Sequence, residues 1–480
     1  MEYSVRFCGD TLQYGPVRLR GVEGIGIARG VTVVLGPNGA GKSTLGLVLE
    51  KGRHAFNNRM EFTRADCQIR MITFTDIHSL TGIDVIRHTQ RLEATENEFV
   101  PTVAEVVARF DHSPADFDRL SRRFELADVM EKKINYLSSG ELRKLLLINV
   151  LLSRPGLLII DNPYIGLDAQ SRRQLDDSLS TLASEGLSIV MLLCDPIDIP
   201  SYADSVILLE NLTFKAQIND PEGIRRLRQE TLPAVDSLTA SDLPPRRRRY
   251  PDFTTAFSIT DGHIRYGGRS IFEHLDWKVA RGERWALTGP NGSGKTLLLS
   301  CVCGDHPQAY ANNIVLFDRR RGTGESIWDI KDKIGYVTPE QQLYFRSVKP
   351  VEEIVVQGMR NMLERYNPVT AEELEDARRW LQLLDISHLA DRQFSTLSSG
   401  EQRLVMLATA LVKQPPLLIL DEPLHGLDAA RKERVRRIID AMMQRDDSSL
   451  IFVTHYQREI PPCVDHTLTL RPTPADNTTH

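Results

Sequence analysis

The sequence predicts an α/β fold made twice, as two tandem domains that each rest on a mainly parallel sheet. Three observations predict it. A glycine-rich loop, Gly36 to Ser43, returns 253 residues later as Gly289 to Thr296. Each loop stands between a short β-rich run and an apolar helical run, a strand–loop–helix order. Continuous apolar runs, Leu157 to Ile160 and Leu417 to Leu420, read as strands buried on both faces, as parallel sheets require.

The elements follow in order. Val31–Leu35 and Trp285–Thr288 read as strands feeding the two loops, and Thr44–Glu50 and Leu297–Cys303 as the helices that follow. Leu142–Leu152 and Gln402–Val412 are helical runs that should stop near Pro155 and Pro415. Ser188–Leu193 and Leu450–Thr454 are further buried strands. Leu137-Ser-Ser-Gly-Glu141 recurs as Leu397-Ser-Ser-Gly-Glu401, and Leu167-Asp168 as Leu427-Asp428, both 260 residues on. Four landmarks in one order mean two copies of one domain, with seven extra residues between the first two landmarks of the second copy. The domains are read as 1–218 and 253–472. Residues 219–252 form a Pro-, Ser- and charge-rich surface linker with a short helix near Glu222–Glu230, and 473–480 a frayed tail. The run Arg246 to Arg249 is read as solvated linker.

Composition bounds the function. With 480 residues, 41% apolar and 26% charged, the chain is an ordinary globular one. A net charge of −5 supplies no basic field, so no direct nucleic-acid partner is expected. No run of about 18 apolar residues offers a membrane span. The start, Met1 to Asp10, lacks the charged-then-apolar layout of a secretion signal, so a cytoplasmic protein is expected. Six scattered cysteines, Cys301 and Cys303 included, read as reduced buried thiols.

Both loops satisfy G-x-x-x-x-G-K-[ST], the phosphate-binding loop of nucleoside triphosphatases. Glycines let successive backbone N–H groups turn inward around a phosphate, and the following helix adds its positive end. The candidate nucleotide-binding residues are Gly36, Pro37, Asn38, Gly39, Ala40, Gly41, Lys42, Ser43 and Thr44. In the second copy they are Gly289, Pro290, Asn291, Gly292, Ser293, Gly294, Lys295, Thr296 and Leu297. Lys42 and Lys295 supply a charge to the β- and γ-phosphates. Ser43 and Thr296 place a hydroxyl for Mg²⁺, and Asp161 and Asp421, each ending an apolar strand, suit its water shell.

Together these residues resemble the ATP-binding cassette (ABC) ATPase family. The loops resemble its Walker A, Leu-Ile-Ile-Asp161 and Leu-Ile-Leu-Asp421 its Walker B, and Asp168 and Asp428 its D-loop. The two Leu-Ser-Ser-Gly-Glu segments resemble its LSGGQ signature, with Ser for the first Gly and Glu for Gln. His455 matches its switch histidine. Tyr14 and Tyr266, 22 and 23 residues before the loops, match the aromatic that stacks on adenine. The resemblance implies a parallel core with helical and antiparallel β subdomains in each copy. It also implies ATP and Mg²⁺ as cofactors, and intrachain pairing of the two cassettes. One site would then join Lys42, Ser43 and Asp161 to Ser398 and Gly400; the other would join Lys295, Thr296, Asp421, Glu422 and His455 to Ser138 and Gly140. The stretches Gly304–Tyr310, Leu316–Gly322 and Glu325–Lys331 resemble, more narrowly, the ModF-type branch of two-cassette molybdenum-transport ATP-binding proteins.

The copies differ where proton chemistry takes place. Glu422 follows Asp421 at the family's general-base position, whereas Asn162 follows Asp161. An amide cannot accept the proton of an attacking water. The shared Ile-Pro at Ile199 and Ile460 sets Cys194 opposite His455. Between Ile72 and Leu80 no Gln is found for the family's Q-loop, while the second copy has Gln341 and Gln342, with Pro339 at the strictly aligned position. Glu422, His455 and Gln341 are therefore the candidate catalytic residues, and the first site is expected to bind ATP and turn over slowly.

The resemblance implies three uses of the hydrolysis. The first is a transport ATPase, peripheral at the inner face of the plasma membrane on a separate integral-membrane permease. The second is a soluble tandem cassette on the ribosome; the linker, interrupted by Pro221, Pro233, Pro244, Pro245 and Pro251, cannot form the two long helices those factors carry. The third is a regulatory or DNA-associated ATPase, against which the net charge of −5 weighs.

Overall fold

The computed structural model describes residues 3–52, 59–63, 68–73, 101–110, 113–134, 137, 139–229, 238–246, 248–266, 269–304, 306–339, 341, 345–361, 364–445 and 447–471. The chain divides into two compact units, and the bulk of each lies on one side of the Pro233–Ala234 step.

In chain order the first unit contains β1 (Tyr3–Phe7), β2 (Thr11–Tyr14), β3 (Val17–Arg20), β4 (Gly26–Ala28), β5 (Val31–Leu35), α1 (Lys42–Lys51), β6 (Met60–Phe62) and β7 (Ile69–Ile72). It continues with α2 (Val103–Val107), α3 (Pro114–Arg123), α4 (Ser139–Leu152), β8 (Leu157–Asp161), α5 (Ala169–Ser184), β9 (Ser188–Leu193), β10 (Ser205–Glu210), β11 (Thr213–Ile218) and α6 (Pro221–Arg228). The main sheet has the order β2-β3-β11-β10-β5-β9-β8-β7, and β4-β1-β6 form a small antiparallel sheet. Strands β10, β5, β9, β8 and β7 are parallel. Leu35 pairs with Leu193 and Asp161 with Leu192, so β5, β9 and β8 end together at one edge of the sheet. Every residue of β5 and β9 is buried, which is why these strands read as unbroken apolar runs. Thr32 is the polar exception in β5, and its hydroxyl accepts the N–H of Ala28 at 3.0 Å.

The second unit has β12 (Thr255–Tyr266), β13 (Arg269–Ala280), β14 (Arg284–Thr288), α7 (Lys295–Val302), β15 (Asn313–Leu316), β16 (Arg319–Arg320), α8 (Ile327–Lys333), β17 (Ile334–Val337), α9 (Val351–Met359) and α10 (Ala371–Leu383). It ends with α11 (Ser399–Leu411), β18 (Leu417–Asp421), α12 (Ala429–Arg445), β19 (Ser449–Val453) and β20 (His466–Thr469). Its parallel sheet has the order β17-β18-β19-β14-β20, and an antiparallel sheet of order β13-β12-β15-β16 flanks it. The loop-bearing strand β14 and the carboxylate-bearing strand β18 are thus separated by β19, as β5 and β8 are by β9. Trp380, Phe394 and Leu404 pack between α9, α10 and α11 with 0–1% exposure and make the core of a helical layer.

The segment 219–252 is packed at both of its described ends. Ile224 and Leu227 of α6 join the apolar core of the first unit. Leu243 is buried in the second, where Arg445 donates to the carbonyl of Pro244 at 2.7 Å. Arg248 is ion-paired with Asp332 and Glu364, so this member of the arginine run is taken up by the fold itself. Arg321 likewise bonds Glu325 at 3.1 Å, both side chains being under 10% exposed. Of the cysteines, the five described are free, and Cys194, Cys301 and Cys303 are buried. Residues 473–480 lie outside the described residues.

One ion pair in the helical layer carries a pH dependence. Glu373 forms a capping box with Thr370 at the start of α10 and accepts from Arg360 at 2.8 and 2.6 Å. These bonds hold Glu373 at a pKa of about 2, against an ordinary 4.5. A depressed carboxyl stabilises the fold above its unfolded pKa, and the contribution is lost as the pH falls through the folded one. The Glu373→Gln variant should therefore unfold at lower urea than the wild type at pH 7. The gap should close between about pH 4.5 and about pH 2, as read from denaturation curves followed by tryptophan fluorescence.

Candidate nucleotide-binding sites

Each loop is shaped by glycine where nothing else fits. A Cβ on Gly36 would stand 2.0 Å from the carbonyl oxygen of Leu209, a backbone atom that cannot step aside. Gly41 has φ of 102° and opens α1; Gly294 has φ of 89° and opens α7. This left-handed step turns the loop's N–H groups toward the helix start, where an anion is held. The two loops are alike in detail: Ala40 N–H donates to Pro37 at 3.2 Å, and Ser293 N–H to Pro290 at 3.3 Å. Lys42 donates to the carbonyls of Gly36 and Pro37 at 2.7 and 2.8 Å, and Lys295 to those of Gly289 and Pro290 at 2.8 and 2.9 Å. Both lysines are buried, each 7% exposed, with the ammonium group held against its own loop. Asn38, Gly39, Asn291 and Gly292 lie on the rims, and Thr44 and Leu297 on the first turns of the helices.

At the sheet edge the loops meet the carboxylates. Ser43 Oγ donates to Asp161 Oδ2 at 2.6 Å, and Thr296 Oγ1 to Asp421 Oδ2 at 3.1 Å. Each pair offers two hard oxygen donors, which fits Mg²⁺ completed by phosphate oxygens and water. Among the described residues no group of three or more His, Cys, Asp or Glu gathers to hold a metal by itself. Burial pushes the carboxyls of Asp161 and Asp421 up, and the neighbouring Glu422 charge adds to the rise at Asp421. A cation here would remove that penalty.

The residue after each carboxylate turns back in the left-handed region: Asn162 with φ of 49° and Glu422 with φ of 48°. Asn tolerates this conformation; Glu is strained in it. Asn162 Nδ2 donates to Asp161 Oδ1 at 3.0 Å, and the Cys194 thiol stands 3.8 Å from Asn162 Oδ1. Glu422 Oε1 instead meets His455 Nε2 at 2.8 Å, and its Oε2 meets His425 Nδ1 at 2.7 Å. Burial would raise the Glu422 pKa, but His425 and His455 outweigh it, and the carboxyl lies well below its ordinary range. Burial would lower His425, but Glu422 prevails and raises it.

Two residues at matching positions went unread in the sequence. Arg403, 1% exposed, donates to the carbonyls of Thr338 (2.9 Å), Asp421 (3.2 Å), Glu422 (2.5 Å) and Pro423 (3.3 Å). Arg143, 260 residues earlier, donates to Asn162 (3.5 Å) and Pro163 (2.6 Å). Burial draws Arg403 down to about 10, so it stays charged at neutral pH. The signal was the repeat itself, since both arginines lie two residues after the repeated Ser-Ser-Gly-Glu. Ser398 caps α11, its hydroxyl accepting from Glu401 N–H, and Glu401 bonds back to Ser398, so Glu in place of Gln completes a capping box. Gly400 is buried and Gly140 half-buried, each in the first turn of its helix. Ser138 lies outside the described residues, as does the stretch from residue 74 to Leu80 where the first Q-loop was sought. Gln341 is half-buried just past β17 and bonds back to Thr338 at 3.1 and 3.3 Å. Tyr14 ends β2 and packs against the core cluster that holds Ala40 and Leu45 of the first loop and helix. Tyr266 ends β12, and its side chain lies outside the described ones.

Residues 27–165 and 272–425 each match the ABC transporter family. The chain belongs to that family and carries its ATP-binding domain twice, as the motifs implied. It is similar to the ABC transporter ATP-binding protein ModF of Escherichia coli K12, with 35% identity over 452 residues, 91% of this chain and 90% of that protein. It is also similar to an uncharacterized ABC transporter ATP-binding protein of Schizosaccharomyces pombe, with 30% identity over 71% of this chain and 69% of that one. Among solved structures, an RNase-L inhibitor aligns with a TM-score of 0.55 at 20% identity, covering 96% of this chain and 87% of its own. A ribosome-bound archaeal Pelota and ABCE1 structure aligns with a TM-score of 0.63 at 20% identity, covering 97% and 77%. These two likenesses show the fold alone.

The loop geometry makes a direct test. Gly36→Ala should displace the first loop and reduce the bound nucleotide from two per chain to one in equilibrium dialysis with a slowly hydrolysed ATP analogue, leaving the second site's affinity within about twofold.

Proposed function

We propose that the chain binds ATP with Mg²⁺ at both loops, hydrolyses it at the second cassette, and turns it over slowly at the first. The observation that supports this reading is the Glu422–His455 pair, which the first cassette replaces with Asn162 and Cys194. Bound Mg²⁺ would neutralise charge on the phosphates, held by Thr296 and Asp421 in the second site and by Ser43 and Asp161 in the first. Lys295 leaves the carbonyls of its own loop for the phosphates. Glu422, already ionised at neutral pH, takes the proton of the attacking water, and His455 turns to the γ-phosphate. Such a base is worth about 10²–10⁴ in rate. Asn162 has no lone pair of that basicity, so its site lacks the term. The signature residues Ser138, Gly140, Ser398 and Gly400, the tyrosines Tyr14 and Tyr266, and Gln341 are proposed to contact nucleotide or water as in the family.

We further propose that the hydrolysis drives transport through a separate integral-membrane permease, of molybdate type by its likeness to ModF proteins. Among the described residues no helix is long and apolar enough to cross a membrane, so the path for a solute would lie in such a partner. The second reading, a factor acting on the ribosome or in regulation, draws on the fold likeness to the ribosome-bound archaeal structure.

Glu422→Gln should lower steady-state ATP hydrolysis by about 100-fold or more, whereas Asn162→Ala should change it by less than about twofold. A Glu422→Gln rate above half of wild type would refute the assignment of the hydrolytic site. The same variant, tagged and loaded with ATP, should retain a polytopic membrane protein from detergent-solubilised cells. Recovery of ribosomes with no membrane protein would overturn the transport reading.

A further inference from the structure

Glu422 is gripped by two histidines, and only one of them was foreseen. His425 lies three residues after Glu422 in the turn between β18 and α12, and is 9% exposed. Its backbone N–H donates to the Glu422 carbonyl at 3.3 Å, and its Nδ1 reaches Glu422 Oε2 at 2.7 Å. An ionised carboxylate only accepts, so Nδ1 carries the proton. The ring packs edge-on against Tyr456, centroids 6.0 Å apart. The charged groups facing it are Glu422, Glu459 and Arg403, and Glu459 is itself engaged by Lys432 at 3.1 Å and Thr454 at 2.8 Å. In the first unit the matching residue is Ile165, three after Asn162. The copy without the carboxylate is thus also without the imidazole.

We propose that His425 is a positioning residue that keeps Glu422 aimed at the attacking water when His455 leaves it for the phosphate. This rests on the reading of the second cassette as the hydrolytic site. His455 Nε2 stands 2.8 Å from Glu422 Oε1 without hydrogen-bond geometry, and one N–H cannot serve the carboxylate and a phosphate oxygen at once. When it turns away, Oε1 is free to accept a proton. Oε2 then has His425 as its anchor, on a backbone already strained at φ of 48°. Without that anchor the carboxylate samples other rotamers, and a misaimed base loses rate without losing nucleotide affinity.

The test is the ATPase kcat and KM of the full chain with four substitutions. His425→Ile installs the first cassette's residue. His425→Asn puts an amide N–H where Nδ1 stands; His425→Gln fills the space but places its amide at the Nε2 position. His425→Ile and His425→Gln should lower kcat roughly tenfold with KM within about twofold, and His425→Asn should stay within about threefold of wild type. Glu422→Gln marks the floor. A wild-type kcat in His425→Ile and His425→Gln, or a His425→Asn as slow as they are, overturns the positioning role, while a Glu422→Gln chain that has lost its turnover leaves the hydrolytic site standing. A Glu422→Gln chain that keeps its rate overturns both. If His425→Ile does not fold, the Asn–Gln comparison decides by itself.

Discussion

The second unit depends on the problem of placing two adjacent carboxylates, Asp421 and Glu422, at the end of a strand with no solvent around it. Unpaired charges there would cost several kcal/mol each. The surroundings answer that cost. Thr296 bonds one carboxylate, His425 and His455 stand 2.7 and 2.8 Å from the oxygens of the other, and Arg403 gathers the carbonyls of Asp421, Glu422 and Pro423. Arg403 also bonds Thr338, beyond the end of β17, so the helix after the signature fixes two strand ends at once. The left-handed turn at Glu422 persists because these bonds over-determine it.

The first unit has the same frame with a milder charge. Asp161 stands alone, bonded by Ser43 and Asn162, and Asn162 takes the left-handed turn with little strain. Arg143 still holds the carbonyls of Asn162 and Pro163. The architecture for binding phosphate is kept in both copies, while the groups that accept and hold a proton are present in one. On the proposed reading, binding and hydrolysis separate because they would rest on different atoms: backbone N–H groups and a lysine for one, a single carboxylate for the other.

Much of the core was legible because parallel strands buried on both faces leave a plain record. Ser188–Leu193 matches β9 residue for residue, and Val31–Leu35 matches β5. Helix ends were less legible. The run beginning at Leu142 starts three residues earlier, at Ser139, because capping admits polar residues that a hydrophobic pattern passes over. The segment 219–252 read as solvated from its charge and proline, yet Ile224, Leu227 and Leu243 are buried. A few apolar residues dock a polar segment when the surface beside it offers them a place.

The sequence by itself determined the repeat, the phosphate loops, the strand-end carboxylates and the exchange of Glu422 for Asn162, since each is a matter of residue type at fixed spacing. Only the tertiary structure decided what holds them. His425 and Arg403 carry no motif of their own. They matter because the β18–α12 turn and α11 bring an imidazole to 2.7 Å from a carboxylate, and a guanidinium to within 3.3 Å of four carbonyls. Compensation of a buried charge is a property of distance, and distance between residues far apart in the chain is set only when the sheet and its helices close around them.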